Sequence, residues 1–239
     1  MRYQDLPGQL ADALFPPECA LCGTQLAGGR ICPPCHRDLP WNERACPSCA
    51  EPKAPGVPAD LLCGRCQARS PPFRSVVAPL LYTFPIDAVL KGLKFHNKLD
   101  VAPMLAELLA PAVRDSEERL DALVPVPLHR WRHARRGYNQ AGEIARALSR
   151  LTGVPVRRLI ARVRATSPQT GLDAKSRRRN LRGAFHVRRR APAARVLVID
   201  DVITTGETVR AVAGALQASG IDEVRVLAVA RAAGGPGVV

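Results

Sequence analysis

An α/β domain with a mainly parallel sheet, preceded by a cysteine-rich module, is the fold class this sequence predicts. After Pro71-Pro72, apolar runs typical of strands alternate with stretches of helical period, the pattern of a parallel sheet covered by helices. Residues 16–72 are instead rich in Pro, Gly and Cys and show no sustained period, as in loops held by something other than a core. The chain has 239 residues, of which 46% are hydrophobic, enough to bury a core and to rule out general disorder.

The elements follow in order. Leu6, Leu10 and Leu14, at spacing four, predict a short helix within residues 1–15. The module 16–72 comes next, and residues 73–239 form the α/β domain. Ser75–Tyr82 reads as a strand and Pro85–Phe95 as a helix with Ile86, Val89, Leu90 and Leu93 on one face. Lys91, Lys94 and Lys98 are read as solvating this helix. Asp100–Arg114 is a second helix, Leu120–Val124 a short buried strand, and Tyr138–Leu151 a helix carrying Ile144, Ala145 and Leu148. A strand at Arg195–Ile199, a helix at Glu207–Ala218 and a strand at Val224–Ala230 complete the pattern. Tyr138, Asn139 and Gln140 read as a helix cap. No run reaches the roughly 18 apolar residues of a spanning helix, and the N-terminus lacks the apolar stretch of a secretory signal. The expected location is therefore the cytoplasm, without membrane insertion.

All eight cysteines fall between Cys19 and Cys66, as four Cys-x-x-Cys pairs: Cys19/Cys22, Cys32/Cys35, Cys46/Cys49 and Cys63/Cys66. Gaps of 9, 10 and 13 residues separate them. Each pair is a turn that aims two thiolates at one point, so two pairs build a tetrahedral sulfur site for zinc, and four pairs build two. Disulfides do not suit a chain expected in a reducing compartment, and the compact run of an iron–sulfur site is absent. Sequential pairing is the expected arrangement, although spacing alone also allows a crossed one. His36, beside Cys35, is read as exposed. Four thiolates close the metal's shell, so both zinc ions are expected to be structural.

Formal net charge is +14, and it is concentrated. Residues 130–190 hold 18 Lys and Arg against two acids, Glu143 and Asp173, which leaves the rest of the chain near neutral. Such a block implies phosphate, pyrophosphate or a nucleic-acid backbone as partner; a merely solvated arginine-rich surface is the alternative. Aromatics make up only 4%, so platforms for base stacking are sparse.

The sharpest pattern runs from Arg195 to Thr208. A hydrophobic strand ends in Asp200-Asp201, and Val202-Ile203 leads into Thr204-Thr205-Gly206-Glu207-Thr208 at the start of a helix. Free N–H groups, the helix dipole and threonine hydroxyls suit a phosphate, with Gly206 letting the backbone close around it. Adjacent carboxylates suit hydroxyls or hydrated Mg²⁺ instead. A ribose 5-phosphate satisfies both.

This stretch resembles the PRPP-binding motif of type I phosphoribosyltransferases. Three further segments extend the resemblance: Val124-Pro125-Val126-Pro127-Leu128-His129, Arg135-Arg136-Gly137-Tyr138-Asn139-Gln140, and Arg164 through Gly183-Ala184-Phe185. Together with the Cys-x-x-Cys pairs, they make the chain similar to the ComF (ComFC) family, phosphoribosyltransferase-like proteins linked to competence for natural transformation. The resemblance implies a Rossmann-like, mainly parallel sheet. It implies that Asp200 and Asp201 hold the ribose hydroxyls and that Thr204, Thr205, Gly206, Glu207 and Thr208 hold the 5′-phosphate, with Mg²⁺ accompanying PRPP. It places pyrophosphate at His129, Arg130, Arg135 and Arg136. It makes Arg177, on a mobile loop over residues 165–180, a catalytic candidate beside Asp200 and Asp201. Enzymes that salvage 6-oxopurines carry an acid where this chain has Thr204, so oxopurine salvage is disfavoured. The implied activity is PRPP-dependent transfer serving DNA uptake or nucleotide-linked metabolism. The alternative is a non-catalytic PRPP sensor or single-stranded-DNA-binding protein, working with other competence proteins.

Overall fold

The computed structural model describes residues 17–115, 119–128, 137–163, 183–188 and 194–233. The expected helix within 1–15 lies outside the described residues. The chain divides into two compact units, 1–39 and 40–239.

In the first unit an antiparallel bridge joins Glu18 to Gln25 across the turn that carries Cys19 and Cys22. Helix α1 (Pro33–Arg37) starts on two prolines, whose fixed φ suits a first helical turn and whose missing N–H would be unpaired there. Cys32 is its N-cap.

The second unit begins with another ribbon, whose Ala45–Pro52 bridge precedes helix α2 (Gly64–Ala68). Strands β1 (Val76–Val77) and β2 (Leu80–Leu81) follow, then helices α3 (Ile86–Phe95) and α4 (Val101–Arg114). Strand β3 (Ala122–Pro125), helix α5 (Gln140–Thr152) and a small antiparallel pair, β4 (Ile160–Arg162) with β5 (Phe185–Val187), come next. Strand β6 (Arg195–Ile203), helix α6 (Glu207–Ala218) and strand β7 (Glu223–Arg231) complete the unit.

The main sheet is parallel throughout. Its order is β1-β7-β6-β3, with β2 also on β7. Val196, Val198, Val224 and Val226 pack with Val209, Val212, Ala213 and Leu216 of α6 in one core. Leu197 and Ile199, pointing the other way, are also buried. Burial of both faces is why β6 and β7 read as continuous apolar runs. Each such side chain contributes roughly 1.5–3 kcal/mol, which fixes where the polar end of β6 emerges.

The structure differs from the sequence expectation in three places. The single strand expected at Ser75–Tyr82 is two short ones, because Pro79 has no N–H to give the ladder. The carbonyls of Ala78 and Pro79 accept bonds from Asn42 instead. Strand β6 continues past Ile199 to Ile203 and so includes both aspartates. The β4–β5 pair was not anticipated. Among the described residues no helix is long and apolar enough to cross a membrane.

Candidate functional site

Asp200 and Asp201 stand where β6 leaves the core. The backbone there is still paired, Asp200 with Ala228 and Val202 with Ala230. Each carboxylate also accepts a bond from the next residue: Asp201 N donates to Asp200 Oδ1 at 2.9 Å, and Val202 N to Asp201 Oδ1 at 2.8 Å. Across from them, Lys94 of α3 puts its Nζ 2.7 Å from Asp201 Oδ2. Burial alone would lower the Lys94 pKa, but the Asp201 carboxylate outweighs it and the value rises. Burial, and then the neighbouring Asp201 charge, push Asp200 up to about 8. Burial and the neighbouring carboxylate therefore favour the protonated form of Asp200, beside the Lys94–Asp201 ion pair.

Five residues after Asp201, the chain turns into α6. Gly206 is its N-cap, at φ 78° and ψ 0°, a left-handed conformation that glycine takes without strain. Space is not the reason, since a Cβ there would meet only Ile203 Cγ2 at 3.9 Å. Gly206 has no side chain to cap α6, so the first-turn N–H groups receive no side-chain cap, and the hydroxyls of Thr205 and Thr208 are nearby in sequence.

Behind this loop lies Arg231, the last residue of β7, only 1% exposed. Its Nη1 donates to the carbonyls of Ile203 at 2.9 Å, Ala232 at 3.2 Å, and Thr204. Its Nη2 donates to Glu51, which also receives Arg65 at 2.5 Å. A cavity of about 250 Å³ opens beside these groups, lined among others by Cys49, Arg65, Arg69, Thr205, Gly206 and Arg210.

The cysteines form two clusters, Cys19/Cys22/Cys32/Cys35 and Cys46/Cys49/Cys63/Cys66, each with its sulfur atoms within 4.8 Å of one another. The pairing is thus sequential. Sulfur separations are 3.7 Å for Cys22–Cys32 and 3.5 Å for Cys49–Cys63. Four sulfurs about 2.3 Å from a tetrahedral zinc would lie about 3.8 Å apart, so the residues fit that ion. Backbone N–H groups already point at the ligands: Cys32 N donates to Cys19 Sγ at 3.4 Å, and Cys63 N to Cys46 Sγ at 3.3 Å. Such bonds outweigh burial and draw Cys19 down to about 6 and Cys46 to about 7. In the same clusters Cys35 is raised, mainly by Cys32 and Cys22, and Cys49 is raised, mainly by burial. Without a cation each cluster cannot hold four thiolates; a dication removes that conflict.

Two family models match the chain: a double zinc ribbon domain over residues 10–67 and a phosphoribosyl transferase domain over residues 108–238. Competence protein F of Haemophilus influenzae is 37% identical over 179 residues, covering 71% of this chain and 78% of that protein. DNA utilization protein YhgH of Salmonella typhimurium is 36% identical over 222 residues, covering 89% of this chain and 96% of that protein. Its namesake in Escherichia coli K12 is 34% identical over 221 residues, with the same coverage. The chain belongs to the ComF family.

In this ComF-family chain the two cysteine clusters and the parallel sheet of a phosphoribosyltransferase domain occur as the sequence indicates. The structure also gathers residues that the sequence reading did not. Lys94 does not solvate a helix face. It follows buried Leu90 by four positions and buried Leu93 by one, and that placement on the apolar side was the available signal. Lys91, by contrast, is exposed and pairs with Asp87 at 2.8 Å. Arg231 could have been noticed as an arginine closing a buried apolar strand. Glu51 had no sequence signal. Asn139 is the N-cap of α5, as expected, but its side chain does not bond the helix; its Nδ2 donates to the carbonyl of Val126 at 2.9 Å, while the Tyr138 hydroxyl donates to the carbonyl of Leu93. The expected pyrophosphate residues His129, Arg130, Arg135 and Arg136 lie outside the described residues, as does Arg177.

Proposed function

We propose that this protein binds PRPP, or ribose 5-phosphate, at the end of β6. The 204–208 loop takes the 5′-phosphate and the Asp200–Asp201 pair takes the ribose hydroxyls. The observation that supports this best is the juxtaposition, within seven residues, of a lysine-balanced acid pair and a helix start opened by left-handed Gly206. One end of this arrangement accepts hydrogen bonds and the other donates them, as a sugar phosphate requires. The carboxylates of Asp200 and Asp201 can together accept hydrogen bonds from a vicinal diol. Mg²⁺, carried in with PRPP, would supply charge neutralisation on the diphosphate, and the carboxylates of Asp200 and Asp201 are the oxygen donors that suit it.

Phosphoribosyl transfer would break the bond between C1 and the diphosphate oxygen, so cations must meet the departing group. The arginine block at 130–136 is placed in sequence to do so, immediately after β3, and Arg177 would close over the ligand. The names of the relatives, a competence protein and DNA utilization proteins, point to a role in taking up or using DNA. A second reading, a PRPP-responsive DNA binder without turnover, is favoured by the 18-to-two excess of basic residues over 130–190, more than one diphosphate needs.

Calorimetric titration separates these readings. Zinc-loaded protein is titrated with PRPP and Mg²⁺, with ribose 5-phosphate, and with oligo-dT. Saturable PRPP binding is expected. Binding of oligo-dT alone would reduce the pocket to a relic and leave the basic surface as the functional one.

A further inference from the structure

We infer that the second cysteine cluster sets the shape of the 204–208 loop, acting through Glu51 and Arg231, so that the loop is ordered only while that ribbon is folded. Arg231 and Glu51 are then positioning residues. The chain of contacts is short and continuous. The carbonyls of Ile203 and Thr204 directly precede Thr205 and Gly206, and both are held by Arg231 Nη1. That guanidinium is buried, and a buried cation needs a counter-charge. Glu51 provides it through Nη2.

Glu51 is in turn fixed by the metal knuckle. It lies two residues after Cys49, its carbonyl accepts from Cys46 N at 2.8 Å, and the Ala45–Pro52 bridge flanks it. Ala50 between them is buried and takes a left-handed φ of 55°, a turn that the surrounding knuckle must hold in place. Release of the metal frees Glu51, which strips Arg231 of its partner and leaves the two loop carbonyls with a donor no longer held in place. The cavity wall shared by Cys49, Thr205 and Gly206 places the same two regions together. The first cluster belongs to the other compact unit.

The consequence for PRPP affinity rests on the function proposed above, but the ordering of the loop does not, and the test keeps them apart. Amide hydrogen exchange of the loop is followed at Ala232 and Arg210, whose N–H groups bond the Ile203 and Gly206 carbonyls at 2.9 and 3.0 Å, in wild type, Glu51→Ala, Arg231→Met, the double variant and Arg65→Ala, with zinc content measured for each. The amides of Val196–Ile199 serve as the control for global unfolding. Glu51→Ala and Arg231→Met are each expected to speed loop exchange roughly tenfold or more, as for one lost charge-assisted hydrogen bond. The double variant should exchange no faster than the faster single one. Arg65→Ala, which leaves the Glu51–Arg231 bond intact, should stay within about twofold of wild type. If Glu51→Ala also sheds zinc, the non-additivity of the double variant still decides. Additive effects, or unchanged loop exchange in Glu51→Ala, would overturn the inference. A PRPP titration of the same proteins reports on the proposed function alone: no binding to wild type rejects that function, whichever way the loop exchange falls.

Discussion

The two cysteine clusters have the same ligands and the same sequential pairing, yet they are embedded differently. In the first, Cys22 is exposed, and bonds such as Cys19 N to the Thr24 carbonyl and Ala20 N to the Arg30 carbonyl close a small knuckle around the sulfurs. In the second, three of the four cysteines are buried, and Val76 of the main sheet donates to the Ser48 carbonyl between Cys46 and Cys49. Glu51 then continues this cluster into Arg231 and the loop. One ligand set therefore serves two ends. A closed S₄ site substitutes for a core in both ribbons, and the second ribbon also lines the cavity beside the candidate site.

The most severe way to break this comparison is to remove one ligand from each cluster in turn. Cys35→Ser and Cys66→Ser should each lower zinc from two ions to one per chain. Only Cys66→Ser should also abolish measurable PRPP binding, because a structural zinc site is worth roughly 10–16 kcal/mol to the fold around it. Metal analysis with calorimetry on both variants checks this, and equal loss of PRPP binding in both would erase the distinction.

A smaller effect is expected at Lys94. Replacement by Met leaves Asp201 without its cation in a largely enclosed place, at a cost of about 1–3 kcal/mol, below that of a fully buried pair. Urea unfolding measures it.

A separate effect is the pH response of Asp200. Its folded-state pKa is raised to about 8 from an ordinary carboxyl value near 3.8. The folded protein thus holds a proton that the unfolded chain has released, and this contribution to stability falls as pH rises from about 4 to 8. Asp200→Asn should flatten that slope in thermal melts. Binding that requires the ionised pair should conversely tighten between pH 6 and 9 and release protons. The least effect belongs to Lys91→Ala, whose solvent-screened pair with Asp87 should leave the thermal midpoint essentially unchanged.

What was legible in the sequence is local. The Cys-x-x-Cys turns, the strand that ends in Asp200-Asp201, and the threonine–glycine helix start each complete their geometry within a dozen residues, so spacing and residue type suffice to recognise them. Lys94, Glu51 and Arg231 reach the site from 107, 150 and 30 positions away from Asp201, by tertiary packing that no period encodes. Asn139 has the residue type of a helix cap but spends its amide on Val126, because the end of β3 lies within reach. Pro79 splits a strand whose apolar pattern is otherwise unbroken. The three-residue strands β4 and β5 are too short, and too rich in arginine and histidine, to stand out.

The most direct measurement is PRPP–Mg²⁺ calorimetry on the Asp200→Ala/Asp201→Ala double variant beside wild type, with circular dichroism and zinc content confirming that both are folded. Loss of PRPP binding in a folded, two-zinc variant is the predicted result. Retained affinity in that variant would contradict the placement of the ribose at the end of β6.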